Sequence, residues 1–260
     1  MESLNRRSIL RGTAGLAASS GSLLAAPQSK QTEPQRKLRV VAVGGHSDDP
    51  QTCAGGTLSM LADLGHDVVG LTLAGGPLPG TDADPQARGV RSRLDSQKMA
   101  DVLKIRLDCL NYIGGNMEQF RFGTACELSG QRYKEFAELL LDKYKPDIVF
   151  THWPIDVHMD HRAASLLTYH AWLQSGKKFP LYYMEAELGT QTQNFFPTHY
   201  VDITPVEQRT HEAWKALSLW YESVWPMHDT MRRMRGMERG CRVAEAFNHH
   251  PQSPTVPALP

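Results

Sequence analysis

The chain has 260 residues, 41% hydrophobic and 22% charged, with 28 Lys and Arg against 28 Asp and Glu and a mean hydropathy of −0.40. That supplies apolar material for one large domain or two small ones and excludes disorder as the main state. No run of about 18 apolar residues follows the N-terminus, which argues against a transmembrane helix in the mature chain. A pI near 7.2 without a basic run argues against nucleic acid as a partner.

In chain order, residues 1–26 place Arg6-Arg7 ahead of Ser8-Ile9-Leu10 and a weakly apolar stretch of Gly, Ala, Ser and Leu ending at Ala25-Ala26. This resembles a twin-arginine export signal and predicts an exported protein, periplasmic or extracellular. A disordered basic tail is the plainer alternative. Residues 27–36 read as a polar linker, 37–248 as a single domain, and 249–260, with His249-His250 in a Pro-rich stretch, as a disordered tail.

Within the domain, strand-like and helix-like segments alternate. Leu38–Val43 is a β-branched run ending in Gly44-Gly45, the pattern of a strand buried on both faces. Thr52–Leu64 has helical spacing and stops at Gly65. Asp67–Leu73 is a second strand, which runs into a Gly- and Pro-rich loop over 74–90. A helix is predicted over Val90–Leu103, a strand over Arg106–Tyr112, an amphipathic helix over Gln131–Tyr144 and a strand over Asp147–Phe150. His161–Leu173 is helical again, Phe179–Met184 and His199–Ile203 are strands, and Pro205–Tyr221 and His228–Glu245 close the chain as helices. The fold class is α/β: a Rossmann-like open, mostly parallel sheet with helices on both faces, whose functional groups gather at the carboxyl ends of the strands.

Four cysteines, Cys53, Cys109, Cys126 and Cys241, form no C-x-x-C pair, so a Cys-based structural zinc site is not expected. Cargo folded in a reducing cytosol before export would keep them as free thiols. Trp214, Trp220 and Trp225, with Tyr221, sit at helical spacing and read as core rather than as a sugar-stacking platform.

Two polar clusters carry the chemistry. The first, Gly44–Leu58, follows strand one and presents His46, Asp48 and Asp49 in four residues. A capping role, with Asp49 or Thr52 at a helix start, competes with a functional one. It is not a dinucleotide fingerprint, because the glycines do not match and the acids would repel a pyrophosphate. The second, Thr151–Ser165, follows strand four and packs His152, Asp156, His158, Asp160 and His161 into ten positions. No packing scheme needs three His and two Asp so close, and burying them unpaired would be costly. Together the clusters can supply His, Asp and His with an open position, the three-ligand pattern of catalytic zinc. The same set suits non-haem Fe2+.

Gly45-His46-Ser47-Asp48-Asp49 with Gly55-Gly56-Thr57, followed by His158-Met159-Asp160-His161-Arg162, resembles the LmbE/PIG-L family of metal-dependent N-deacetylases over roughly residues 37–247. Arg235–Gly240 and Ala244–Phe247 form a family-like tail. The usual first motif is His-Pro-Asp-Asp, and here Ser47 takes the place of the proline, losing a restraint on the turn.

The resemblance implies that His46, Asp49 and His161 hold Zn2+, or another divalent ion such as Fe2+. It further implies that Asp48 is the general base and acid toward a metal-bound water and the departing amine. By the same likeness His158, oriented by Asp160, stabilises the carbonyl oxygen. Some sugar-deacetylating members carry a Tyr where this chain has Asp156, which suggests that Asp156 meets a substrate hydroxyl or basic group. Arg91 is a second substrate candidate by its proximity to the 74–90 loop. The implied reaction is removal of an N-acyl, most simply N-acetyl, group from an amino sugar or glycoconjugate, with a small-molecule partner. An amidase on a non-sugar amide such as a thiol conjugate, or a non-catalytic metal- or sugar-binding protein, are the alternatives. The presence of Asp48 speaks against the last.

Overall fold

The computed structural model describes residues 36–74, 85–113, 128–187, 189–218, 221–255 and 259–260. The expected export signal, nearly all of the linker, most of the 74–90 loop, Cys126 and Trp220 lie outside the described residues.

The elements are β1 (Arg39–Gly44), α1 (Asp49–Asp63), β2 (Asp67–Ala74), α2 (Pro85–Leu103) and β3 (Arg106–Ile113). There follow α3 (Gly130–Glu138), prolonged by a π-helical turn over Leu139–Tyr144, then β4 (Ile148–His152) and α4 (Met159–Gln174). The chain ends with β5 (Leu181–Met184), β6 (His199–Asp202), a 3-10 turn at Thr204–Val206, α5 (Glu207–Lys215), α6 (Tyr221–Arg239) and β7 (Ala244–His249).

The strands form one seven-stranded sheet in the order β3-β2-β1-β4-β5-β7-β6. β3, β2, β1, β4 and β5 run parallel, β7 pairs antiparallel with β5, and β6 pairs antiparallel with β7. The expected mostly parallel sheet is therefore present, with an antiparallel edge added.

The near-continuous apolar run of β1 has a direct cause. Val40 and Ala42 enter a core against α1, α2 and α5, while Val41 and Val43 enter a second core against α3 and α4. Both faces are covered, so neither set of alternate residues can be polar.

The last expected helix is corrected. α6 ends at Arg239, Gly240 takes φ +80°, and Ala244–His249 is a strand. A left-handed glycine is a common way for a helix to stop. The expected tail begins inside this strand. His249 pairs with Tyr182 across the sheet, and the His250 ring lies 4.4 Å from that of Trp172, so neither is part of a loose tail. Trp214 is buried in the core and Trp225 packs against it, stacked on His211 at 4.8 Å, in keeping with their reading as core. Cys53, Cys109 and Cys241 are free thiols.

Candidate metal centre

Strand order reverses between β1 and β4: the chain leaves β1 toward β2 and β3 on one side, and β4 and β5 lie on the other. Loops leaving the carboxyl ends of strands at such a switch point diverge and open a crevice. Both polar clusters leave their strands there, 45–48 after β1 and 153–158 after β4.

Glycine allows the two segments to meet. A Cβ on Gly45 would stand 2.9 Å from the Asp160 carbonyl carbon, and one on Gly44 would stand 2.7 Å from Asp49 Cβ. Without side chains at these positions, the first turn of α1 folds back on its own strand and the start of α4 packs on the β1 loop. Ser47, which takes the place of a proline, is buried; its hydroxyl meets Ser96 Oγ at 2.9 Å, while Gln51 Nε2 donates to the carbonyls of Ser47 and Ser96. The turn is thus tethered to α2 by hydrogen bonds instead of by a ring.

Three donor atoms converge. His46 Nδ1 lies 3.4 Å from Asp49 Oδ2 and 3.3 Å from His161 Nε2, and His161 Nε2 lies 3.5 Å from Asp49 Oδ2. Ligands of a tetrahedral ion at about 2.0–2.2 Å stand about 3.3–3.6 Å from one another, so the triangle has the size a Zn2+-like ion requires. The far nitrogens face carboxylates. His46 Nε2 is 3.3 Å from Asp160 Oδ2, and His161 Nδ1 is 3.2 Å from Asp156 Oδ2. A carboxylate behind each imidazole fixes ring orientation and directs the other lone pair inward, the usual outer arrangement of metal-binding histidines.

A different trio, Asp49, His152 and His161, also comes within 4.8 Å, but ring geometry argues against it. The His152 and His161 rings stack with centroids 3.9 Å apart and planes within 3°. An imidazole lone pair lies in the plane of its ring, so two parallel stacked rings do not aim their lone pairs at one point. His46 and His161 meet at 62° and have no such conflict.

The charges follow from this crowding. Burial alone would lower His161, but Asp49 and Asp156 outweigh it and lift it to about 9; His46 is likewise raised by Asp49 and Asp160 against burial. Asp49 is held well below the ordinary carboxylate range because the surrounding histidines outweigh its burial. Asp48 is pushed up to about 6 by burial and by the charge of Asp49. It occupies the N-cap position of α1, where the capping reading expected Asp49 or Thr52, and its side chain makes no capping hydrogen bond.

His158 caps α4 instead. Its Nδ1 accepts from the Asp160 N–H at 3.4 Å, which leaves the ring proton on Nε2. Burial and the neighbouring His46 and His161 push its pKa down to about 4, so it is a neutral donor at pH 7. Asp160 Oδ2 is nearer to His46 Nε2, at 3.3 Å, than to His158 Nδ1, at 3.7 Å.

Asp156, expected to meet a substrate group, lies behind His161. Its side chain is fully buried, accepts from the His158 N–H and from Thr192 Oγ1, and faces His161. Arg91 sits half-buried on α2. His152, given no role from sequence, is fully buried, with Nε2 2.9 Å from Asp49 Oδ2. Its place at the carboxyl end of β4 was the available signal.

The PIG-L family model, described as GlcNAc-PI de-N-acetylase, matches residues 41–172. A diacetylchitobiose deacetylase of Thermococcus kodakarensis is 28% identical over 251 residues, covering 88% of this chain and 90% of its own. Among solved structures, the N,N'-diacetylchitobiose deacetylase of Pyrococcus horikoshii superposes with a TM-score of 0.65 at 21% identity, covering 86% of this chain and 90% of its own. GalB, the 4-carboxy-2-hydroxymuconate hydratase of Pseudomonas putida KT2440, superposes with a TM-score of 0.68 at 19% identity, covering 85% and 100%. The family match spans both polar clusters and half of the chain, and on it the chain belongs to the PIG-L (LmbE-like) family.

Proposed function

We propose that this chain is a divalent-metal-dependent N-deacetylase acting on an N-acetylated amino sugar or glycoconjugate. The observation that carries the reading is the triangle of His46 Nδ1, Asp49 Oδ2 and His161 Nε2, with Asp48 beside it at a helix start and not spent on the cap. The family match and the chitobiose deacetylase relative support the substrate class. A hydratase on the same fold shows that the fold by itself does not choose the reaction.

His46, Asp49 and His161 would hold the ion, Zn2+ first among the candidates and Fe2+ next, given two imidazoles and one carboxylate. Such an ion supplies polarisation of the amide carbonyl and a water acidified to react near neutral pH. Asp48, ionised above about 6, takes the proton from the attacking water and returns it to the leaving nitrogen. His158 presents its Nε2–H to the oxygen on which charge develops, as a neutral donor that Asp160 N–H holds in the required tautomer. Asp156 and Asp160 keep the two ligand rings in place.

The test is amine release from N-acetylglucosamine, N,N'-diacetylchitobiose and larger N-acetylated glycosides. Asp48→Asn should retain bound metal and lose about 10²–10⁴-fold in rate. Full activity in that variant would remove Asp48 from the mechanism. Native protein that binds metal yet releases no amine from any of them would return the search to other amides or to a binding role.

A further inference from the structure

His152 lies outside the donor triangle but touches two of its three corners. It is the last residue of β4, 0% exposed, with its ring stacked on His161 and its Nε2 2.9 Å from Asp49 Oδ2. The same nitrogen lies 3.3 Å from the Gly45 backbone nitrogen. A ring nitrogen cannot donate and accept at once, and the shorter contact to a carboxylate is charge-assisted and stronger. Nε2–H therefore donates to Asp49. The cost is visible on the other side of the ring, where His152 Nδ1 is buried with no hydrogen-bond partner among the described residues. A residue that only filled space here would more economically be apolar.

Asp49 Oδ2 takes the His46 backbone N–H at 2.7 Å as well as His152 at 2.9 Å. These two donors fix the rotation of the Asp49 carboxylate. The stacked ring of His152 also prevents His161 from tilting away from its in-plane alignment.

We infer that His152 is a positioning residue for the metal: its Nε2–H holds Asp49, and its ring holds His161, in the geometry that receives the ion, without itself being a ligand. This rests on the donor assignment of His46, Asp49 and His161.

The readout is metal affinity, measured by letting metal-free protein compete with a chromogenic chelator for Zn2+ or Fe2+, beside the thermal unfolding of the metal-free form. His152→Met keeps an apolar filler and removes the donor. It should weaken affinity about 10–100-fold, the usual effect of losing an outer hydrogen bond to a ligand. His152→Gln places an amide N–H near the position of Nε2 and should recover most of that loss, with both metal-free variants unfolding close to the native temperature. Unchanged affinity in the Met variant would overturn the inference, and so would equal weakening in Met and Gln. Loss of binding as complete as in His46→Ala would also overturn it, making His152 a ligand. If the Met variant fails to fold, the Gln variant decides: affinity within about threefold of native supports the role, and a loss of about tenfold or more refutes it. Native protein that binds no metal would be a different result, the failure of the donor assignment itself.

Discussion

His46 and His161 each give one ring nitrogen to the triangle and the other to a carboxylate, and this arrangement sets how the site answers to pH. Without an ion, the negative charge of Asp49 and of the two outer carboxylates is balanced by protons, which is why His161 is lifted to about 9 and His46 is raised as well. An incoming cation needs the lone pairs that those protons occupy. Below about pH 9 each bound ion should therefore displace protons, one or two of them, and apparent affinity should rise by about one to two log units per pH unit across the neutral range. Isothermal titration in buffers of different ionisation enthalpy reads the proton count directly. A pH-independent affinity between 6 and 8 would mean that the histidines are already neutral and that the charge balance described above is wrong. The rate should follow Asp48 separately. Its base form grows as pH rises through about 6, and a bound dication shifts that acid limb lower. At this scale sequence showed which residue types were concentrated and where, but not which carboxylate serves which ring. Asp156 and Asp160 differ in what they hold because of side-chain direction, and His152 meets Asp49 across 103 positions of chain, so neither fact has a local signature.

At the scale of elements, α1 is two helices in one. Ala54 has φ −143° and ψ 15°, which breaks the helix after a single turn, and the backbone N–H groups of Gly56 and Thr57 that the break exposes donate to Glu245 Oε1 and Oε2 at 2.7 and 2.8 Å. Glu245 belongs to β7, so a strand added late in the chain caps a helix from its beginning. The short first turn is thereby free to carry Asp49 and Pro50 against Gly44 while the longer second part packs on the sheet. A Cβ at Gly56 would stand 2.6 Å from Ile203 Cγ2, which explains the glycine at this position just after the break. Glu245→Ala leaves two buried N–H groups without an acceptor and should cost about 1–3 kcal/mol. At about 2–4 °C per kcal/mol for a chain of this size, the melting temperature should fall by several degrees. Glu245→Gln should recover part of the loss through its remaining carbonyl oxygen. No fall in the Ala variant would mean that water replaces the carboxylate. The parallel strands and their helices were legible because each had a two-face or one-face apolar pattern. β7 was not, because Ala-Glu-Ala-Phe lacks β-branched residues and follows a true helix, and its strand character comes from the β5 and β6 edges that it joins.

For the whole molecule, the consequence of the topology is that the site ties together parts that are far apart in sequence. His46 and Asp49 leave β1, His161 starts α4 beyond β4, and β1 and β4 are direct neighbours at the place where strand order reverses. Reading strands alternating with helices was enough to place both clusters on one edge of the sheet, since every parallel strand ends on the same side. It was not enough to show that two glycines let the segments touch, a matter of packing. In the unfolded chain His161 lies more than a hundred residues from His46 and Asp49, and the three offer no preformed site, so an ion binds the folded state almost alone. Stabilisation then follows mass action, about 2.7 kcal/mol at a free ion concentration one hundred times the dissociation constant. For a chain of this size that is a rise of about 5–11 °C in melting temperature. Chelation should reverse it, and Asp48→Asn should show the same rise, because Asp48 is not a donor. His46→Ala should show none. A melting temperature that does not move while metal analysis confirms uptake and removal would place the bound ion on the surface, outside the triangle.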